Sequence, residues 1–254
     1  AIKHNGVRGV LEFLNIRYGL EISHLADLPS QTGIGSSSSF IVGLLNSLYA
    51  LKNTDVGAHR LAEEAIFIER NLLAETGGIQ DQIWAAYGGI NSIHIKLDGS
   101  FEVKPLPISS GLIDEFFSRS ILIHTGRTRR SYKIAKSHDQ KTASSHKKKI
   151  YDIANQAYDK FIIGDIEGIG SLLHKSWMSK QKISSLISND NINKMYATLK
   201  DDGMIGGKLL GSGGEGFLFG ILDKKIDVAK FKNKYKSHYV DCGISKEGST
   251  IINA

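Results

Sequence analysis

The sequence predicts an α+β protein of two lobes, and three features of its 254 residues carry that reading. Apolar residues recur at three- and four-residue steps over several stretches, as at Val7, Val10, Leu11 and Leu14, which is the spacing of amphipathic helices. Shorter runs alternate, as at Ile93, Ile95 and Leu97, or are wholly apolar, as over residues 217–222, which is the pattern of strands. Between these sets a stretch holding Pro105, Pro107, Ser109, Ser110 and Gly111 reads as a linker. It puts a boundary near residue 112, with lobes of residues 1–111 and 112–254.

Taken in order, a helix is expected over about residues 3–17, ended by Gly19. Leu20, Ile22 and His24 alternate with Glu21, Ser23 and Leu25 as a short strand, which leads into the loop 29–39. A helix follows over residues 36–52 and, after a turn, another over 56–74, with Leu61, Ala65, Ile68 and Leu72 on its core face and Glu63, Glu64 and Glu69 as its acids. Residues 75–89, E-T-G-G-I-Q-D-Q-I-W-A-A-Y-G-G, are a glycine loop, an aspartate between two glutamines and a short helical segment. Residues 93–103 form a hairpin about a two-residue Asp98-Gly99 turn. The second lobe opens with a strand over 120–124, a basic loop T-G-R-T-R-R and a long helix with Ile150, Ile153, Ala154, Ala157 and Phe161 on one side. Further helices cover 165–201. Residues 203–216 hold seven glycines, and a strand over 217–222, a helix over 227–236 and a short terminal strand complete the chain.

Composition limits the function. Hydrophobic content of 41% and charged content of 23% are ordinary for globular chains. No apolar run reaches a membrane span, and the start A-I-K-H-N-G-V-R-G-V does not have the build of a signal peptide. One cysteine, Cys242, fits a reducing compartment, so a cytoplasmic location is expected. The net charge of +6 is spread along helices, and its dense run, Lys147 to Lys149, reads as a solvated face. Neither nucleic acid nor a membrane is the expected partner.

The loop 29–39 reads P-S-Q-T-G-I-G-S-S-S-S. Gly33 and Gly35 permit a tight turn and close approach to a ligand. The serines stand at the start of a helix, where free N–H groups attract anions. Their hydroxyls add donors for phosphate and ligands for a hard cation such as Mg²⁺. The alternative is a helix capped by one of its serines. A second glycine cluster, K-L-L-G-S-G-G-E-G-F over 208–217, has Gly211, Gly213 and Gly216 in the order G-x-G-x-x-G. A dinucleotide fold needs a strand before and a helix after, whereas here glycine-rich chain precedes and a strand follows. H-R-D, D-F-G and G-x-x-x-x-G-K-[ST] are all absent, which excludes protein kinases and P-loop enzymes.

Two glycine loops in this order, with G-I-Q-D-Q between them, resemble the GHMP kinase superfamily, whose phosphate loop is usually P-x-x-x-G-L-G-S-S-A-A. The resemblance covers nearly the whole chain. It implies an N-terminal lobe of the ribosomal protein S5 domain 2-like type and a C-terminal α/β sandwich lobe of the ferredoxin-like type. Family members begin with several dozen further residues, so N-terminal strands are expected to be missing from this chain. G-I-G-S-S-S-S-F, A-E-E-A with I-E-R, G-G-I-Q-D-Q-I-W-A-A-Y-G-G and T-G-R-T-R are similar to the bacterial D-glycero-D-manno-heptose 7-phosphate kinases. These use ATP and Mg²⁺ to phosphorylate the anomeric hydroxyl, on the path to GDP-heptose.

The resemblance implies ATP contacts at Gly33, Ile34, Gly35, Ser36, Ser37, Ser38, Gly211, Ser212, Gly213 and Gly214. It implies Mg²⁺ at Ser37 and Glu69, proton acceptance from the sugar hydroxyl at Asp81, and substrate contacts at Asp81, Arg129 and Gly213. Arg127, Arg129 and Arg130 are candidates for the substrate's own phosphate, with Arg129 matching the T-G-x-T-R pattern. Glu215 replaces a usual glycine, and a carboxylate beside phosphates is tolerable only if it points to solvent. The rival expectations are a galactose or fucose 1-kinase and a non-catalytic sensor on the same fold.

Overall fold

The computed structural model describes residues 2–28, 33–126 and 140–252. Contacts divide the chain into two units, one of Ala1–Gln31, Gly35–Ile90 and Ser245–Ala254, the other of Thr32–Ile34 and Asn91–Ile244. The division therefore falls after Ile90 and not near residue 112. In the proline-rich stretch Ser109 caps a helix, its Oγ accepting from Leu112 N at 3.2 Å.

The first unit is helical: α1 (Asn5–Phe13), α2 (Ser36–Leu51), α3 (Ala58–Phe67) and α4 (Gln80–Tyr87). Its core helix is α2, which buries Ile41, Val42, Leu44, Leu45, Leu48 and Tyr49. Gly6, Gly9 and Val10 form the buried stripe of α1, and Gly9 has Ile68 and Leu73 against it so closely that a Cβ would meet Leu73 at 3.1 Å. The expected 56–74 helix is shorter. After α3 the chain widens into a π turn, Ile68–Leu72, in which Leu73 N donates to Ile68 O at 2.9 Å, and Ala74 at φ 52° ends it. The expected strand over residues 20–25 does not form. Alternation makes a strand only where a neighbour takes up its N–H and C=O groups; no described strand pairs with it, and Leu25 stays 95% exposed.

The C-terminal segment returns to this unit. Gly89 N donates to Ser245 O at 2.8 Å and Ser249 N to Ala85 O at 2.9 Å, while Asn46 Nδ2 donates to Ser249 O and Oγ, each at 3.0 Å. The contact admits no side chains: a Cβ on Gly88 would lie 2.2 Å from Glu247 C, and one on Gly248 2.1 Å from Ala86 O.

The second unit begins with an antiparallel hairpin, β1 (Asn91–Ile95) and β2 (Phe101–Pro105), registered Ile93 to Val103. Its loop is three residues long where two were expected, because Lys96 N bonds Ser100 O at 2.8 Å and Asp98 Oδ1 takes Ser100 N at 2.9 Å. Then come α5 (Ser110–Ser118), β3 (Ser120–His124), α6 (Gln140–Ile162), α7 (Ile166–Gln181), α8 (Asp190–Asp201), β4 (Met204–Leu209), β5 (Phe217–Leu222), α9 (Val228–Lys234) and β6 (Tyr239–Val240). The sheet runs β4-β5-β3-β6, every pair antiparallel. Ile121, Ile123, Trp177, Leu209, Leu218 and Leu222 form its main core. Gly206 and Gly170 let α7 lie directly on β4, since a Cβ on Gly206 would be 2.1 Å from Gly170 O. The glycine-rich stretch is thus a strand in its first half. The second glycine loop sits between two strands, and a dinucleotide fold stays excluded because β5, not a helix, follows it. Among the described residues no helix is long and apolar enough to cross a membrane.

Candidate active site

In the first unit the site is built where α2 begins. The N-cap of α2 is Gly35 at φ 75°, with no side chain bonded to the helix start. The serines are therefore inside the helix rather than capping it, and the opening N–H groups are left to a ligand, which is the arrangement that holds phosphate. Ser36 is partly buried and Ser37 exposed. Ser38 is buried, at 6% exposure, because it shares the core face with Ile41, Val42 and Leu45 at helical spacing.

Ser38 Oγ donates to Glu69 Oε2 at 3.2 Å, and Gln82 Nε2 donates to the same oxygen. The serine bonded to Glu69 is thus Ser38, while Ser37, one helical position before it, is exposed. Glu69 is 6% exposed and is delivered by the π turn, a local widening that often marks functional positions. Burial is the first cause that pushes its carboxyl up from 4.5 to about 7, against the Ser38 and Gln82 bonds that lower it, with Glu75 and Asp81 adding to the rise. Its Oε1 is buried with no hydrogen-bond partner.

Asp81 stands exposed in the first turn of α4, where the helix dipole favours a carboxylate. A Cβ built on Gly35 would lie 3.1 Å from Asp81 Cβ and Cγ. The nominated proton acceptor is thus held against the start of α2, and glycine is what allows it.

In the second unit the loop after β4 is pinned at several points. Lys180 Nζ donates to Gly211 O, Gly214 N to Ile187 O at 2.8 Å, Asn189 Nδ2 to Gly214 O at 3.1 Å and Gly216 N to Thr125 Oγ1 at 2.9 Å. Gly211, Gly213 and Gly214 have φ of 62°, 111° and 87°, so the turn needs them. Gly33, which the contacts group with this unit, lies on Gly211: a Cβ there would be 2.6 Å from Gly33 O. The leading glycines of the two motifs therefore touch. Ile34, Ser212 and Glu215 are partly buried, so Glu215 keeps access to water. Lys208 lies in β4 opposite Phe219, its ammonium pushed below the usual lysine range by burial. Arg127, Arg129 and Arg130 lie outside the described residues.

Residues 5–89 match the family described as GHMP kinases N terminal domain, and residues 150–241 match GHMP kinases C terminal. A D-glycero-alpha-D-manno-heptose 7-phosphate kinase of Campylobacter jejuni subsp. jejuni serotype O:2 is 31% identical over 248 residues, 95% of this chain and 73% of that protein. The chain belongs to the GHMP kinase family. It is therefore an ATP-dependent phosphotransferase acting on small molecules, on a mixed α+β fold with N- and C-terminal domains. A bifunctional fucokinase/GDP-fucose pyrophosphorylase of Arabidopsis thaliana is 27% identical over 226 residues, 84% of this chain and 21% of that protein. The crystal structure of a D-glycero-D-manno-heptose 1-phosphate kinase from Bacteriodes thetaiotaomicron shares the fold at a TM-score of 0.72 and 22% identity, covering 98% of this chain and 75% of that one.

The donor set fits a hard cation. Glu69 presents a bare, buried carboxylate oxygen, and burial disfavours its ionised form until a positive charge compensates. Among the described residues no group of three or more His, Cys, Asp or Glu side chains could hold a metal. One carboxylate and a hydroxyl, completed by phosphate oxygens and water, is how Mg²⁺ is commonly bound in phosphoryl-transfer sites. Sequence reasoning missed Gln82 and the returning segment 245–249. The polar glutamine inside the run I-Q-D-Q-I-W was the available sign of the first; nothing local marks the second.

Proposed function

We propose that this kinase transfers the γ-phosphoryl group of ATP to the anomeric hydroxyl of D-glycero-D-manno-heptose 7-phosphate, giving the 1,7-bisphosphate for GDP-heptose and surface polysaccharide synthesis. The observation that carries a kinase mechanism is Asp81 packed against Gly35 at the uncapped start of α2. The name of the Campylobacter relative supports the sugar, and T-G-R-T-R supplies Arg129 for the substrate's own phosphate.

Phosphoryl transfer asks mainly for position and charge. In the first unit the N–H groups of Gly35, Ser36 and Ser37 would bind ATP phosphates; in the second, Gly33, Ile34, Gly211, Ser212, Gly213 and Gly214 are proposed as further ATP contacts. Glu69 and a serine hydroxyl, Ser37 or Ser38, would hold Mg²⁺, which when bound neutralises phosphate charge. Asp81 would accept the proton of the sugar hydroxyl as it attacks, and Gly213 is proposed as a backbone contact to the substrate.

Acceptor-dependent ADP formation from ATP by the intact protein, measured with heptose 7-phosphate, galactose, L-fucose and mevalonate, tests the reading. Heptose 7-phosphate should be the preferred acceptor, and its product should lose reducing-sugar character because the anomeric hydroxyl is esterified. Asp81→Asn should lower kcat by roughly 10²–10⁴-fold with ATP still bound. Turnover of only a non-phosphorylated sugar would move the assignment to the fucokinase type, which the Arabidopsis relative favours.

A further inference from the structure

Gln82 follows Asp81 directly, yet the two differ in burial: Asp81 is exposed, whereas Gln82 is 2% exposed. Burying an amide has a cost, and here it is not fully offset. Gln82 Oε1 has no hydrogen-bond partner, and a leucine or methionine would fill the same space without leaving a carbonyl unpaired. The one hydrogen bond the structure gives the Gln82 side chain is from Nε2 to Glu69 Oε2, the oxygen that Ser38 Oγ also reaches at 3.2 Å.

Two donors on one carboxylate oxygen fix the plane and rotation of the group. They leave Oε1 as the oxygen without a partner. A neutral amide suits this position: a lysine would neutralise Glu69 and compete with a cation, an acid would repel it, and an alkyl group would let the carboxylate turn.

We propose that Gln82 is a positioning residue that holds Glu69 with Oε1 bare for the metal ion, so that α4 carries both the proton acceptor, on its exposed side, and the orienting group for the metal ligand, on its buried side. This rests on the reading of Glu69 as a Mg²⁺ ligand. Partners of this kind commonly change metal affinity or activity 10- to 100-fold when removed.

The test is equilibrium binding of a non-hydrolysable ATP analogue to the intact protein, with Mg²⁺ and with chelator, for wild type, Gln82→Met, Gln82→Leu and Glu69→Gln. Methionine keeps the length and volume of glutamine and removes the donor. Both Gln82 variants should bind the metal-free analogue as wild type does, and their apparent Mg²⁺ affinity should fall by about 10-fold or more, with kcat recovering at high Mg²⁺. If Glu69→Gln loses the Mg²⁺-dependent gain while both Gln82 variants keep it, the positioning role is wrong and the metal reading stands. If Glu69→Gln keeps the gain, the metal reading falls and this proposal with it. Loss of metal-free binding, or failure of both Gln82 variants to fold, would make Gln82 a structural residue and overturn the proposal.

Discussion

A methyl group at Gly35 would lie 3.1 Å from both Cβ and Cγ of Asp81, on a backbone already turned to φ 75°. That φ costs an L-residue about 1–2 kcal/mol, and the contact obliges Asp81 to shift by a few tenths of an ångström. Gly35→Ala should therefore lower kcat/KM by roughly 10- to 100-fold, the scale on which small misplacements of a reacting group act, with a smaller loss of thermal stability. Initial-rate kinetics and a melting curve on one preparation check this; unchanged kinetics would mean that Asp81 need not stand where it does. Gly33 and Gly35 were nominated from the sequence by their turn chemistry before a serine-led helix, and Glu69 and Asp81 by what the family resemblance implies. That Ser38 is a buried serine was legible in principle, since it lies in helical step with the buried Ile41, Val42 and Leu45, but its bond to Glu69 was not.

Three elements bury Glu69: α2 brings Ser38, α4 brings Gln82, and the π turn carries the glutamate itself. Their convergence sets a pH dependence. Glu69 titrates at about 7 in the fold, chiefly through burial, against an ordinary 4.5. Between these values the folded chain keeps a proton that the unfolded chain has released, so stability falls as pH rises through the window, and the penalty is complete above about 7. Glu69→Gln should match wild type near pH 4.5 and exceed it at pH 8 by about 3 kcal/mol, or roughly 6–12 °C in melting temperature, while losing phosphoryl transfer. Melts in metal-free buffer at the two pH values measure it; an equal gain at both would assign the effect to something other than ionisation. The π turn itself could not be read in advance, because the apolar spacing at Leu61, Ala65, Ile68 and Leu72 fits a continuous helix equally well. Likewise residues 20–25 alternate like a strand, but alternation states which way side chains point and not whether a partner strand is there to bond.

Across the whole molecule, the last residues come back over a separation of 203 positions to bond Asn46 of α2 and to lie along the end of α4 through Gly88, Gly89 and Gly248. A Cβ at Gly248 would meet backbone, Ala86 C=O, at 2.1 Å, which no rotamer change relieves. Gly248→Ala should cost roughly 2–3 kcal/mol, or about 5–10 °C in melting temperature, and reduce turnover by disturbing the helix that bears Asp81. A melting curve identical to wild type would show that the segment is not held there. The sequence by itself determined the α+β class, most of the helices, the two glycine loops and the family they belong to, because periodicity and glycine chemistry are local properties of a short stretch. Only the tertiary structure decided which serine meets Glu69, that Gln82 bonds the same oxygen, that Gly35 rather than a serine caps α2, and that the chain end braces α4. Apart from the cap, each of these is a pairing of residues distant along the chain, set by which buried faces pack together.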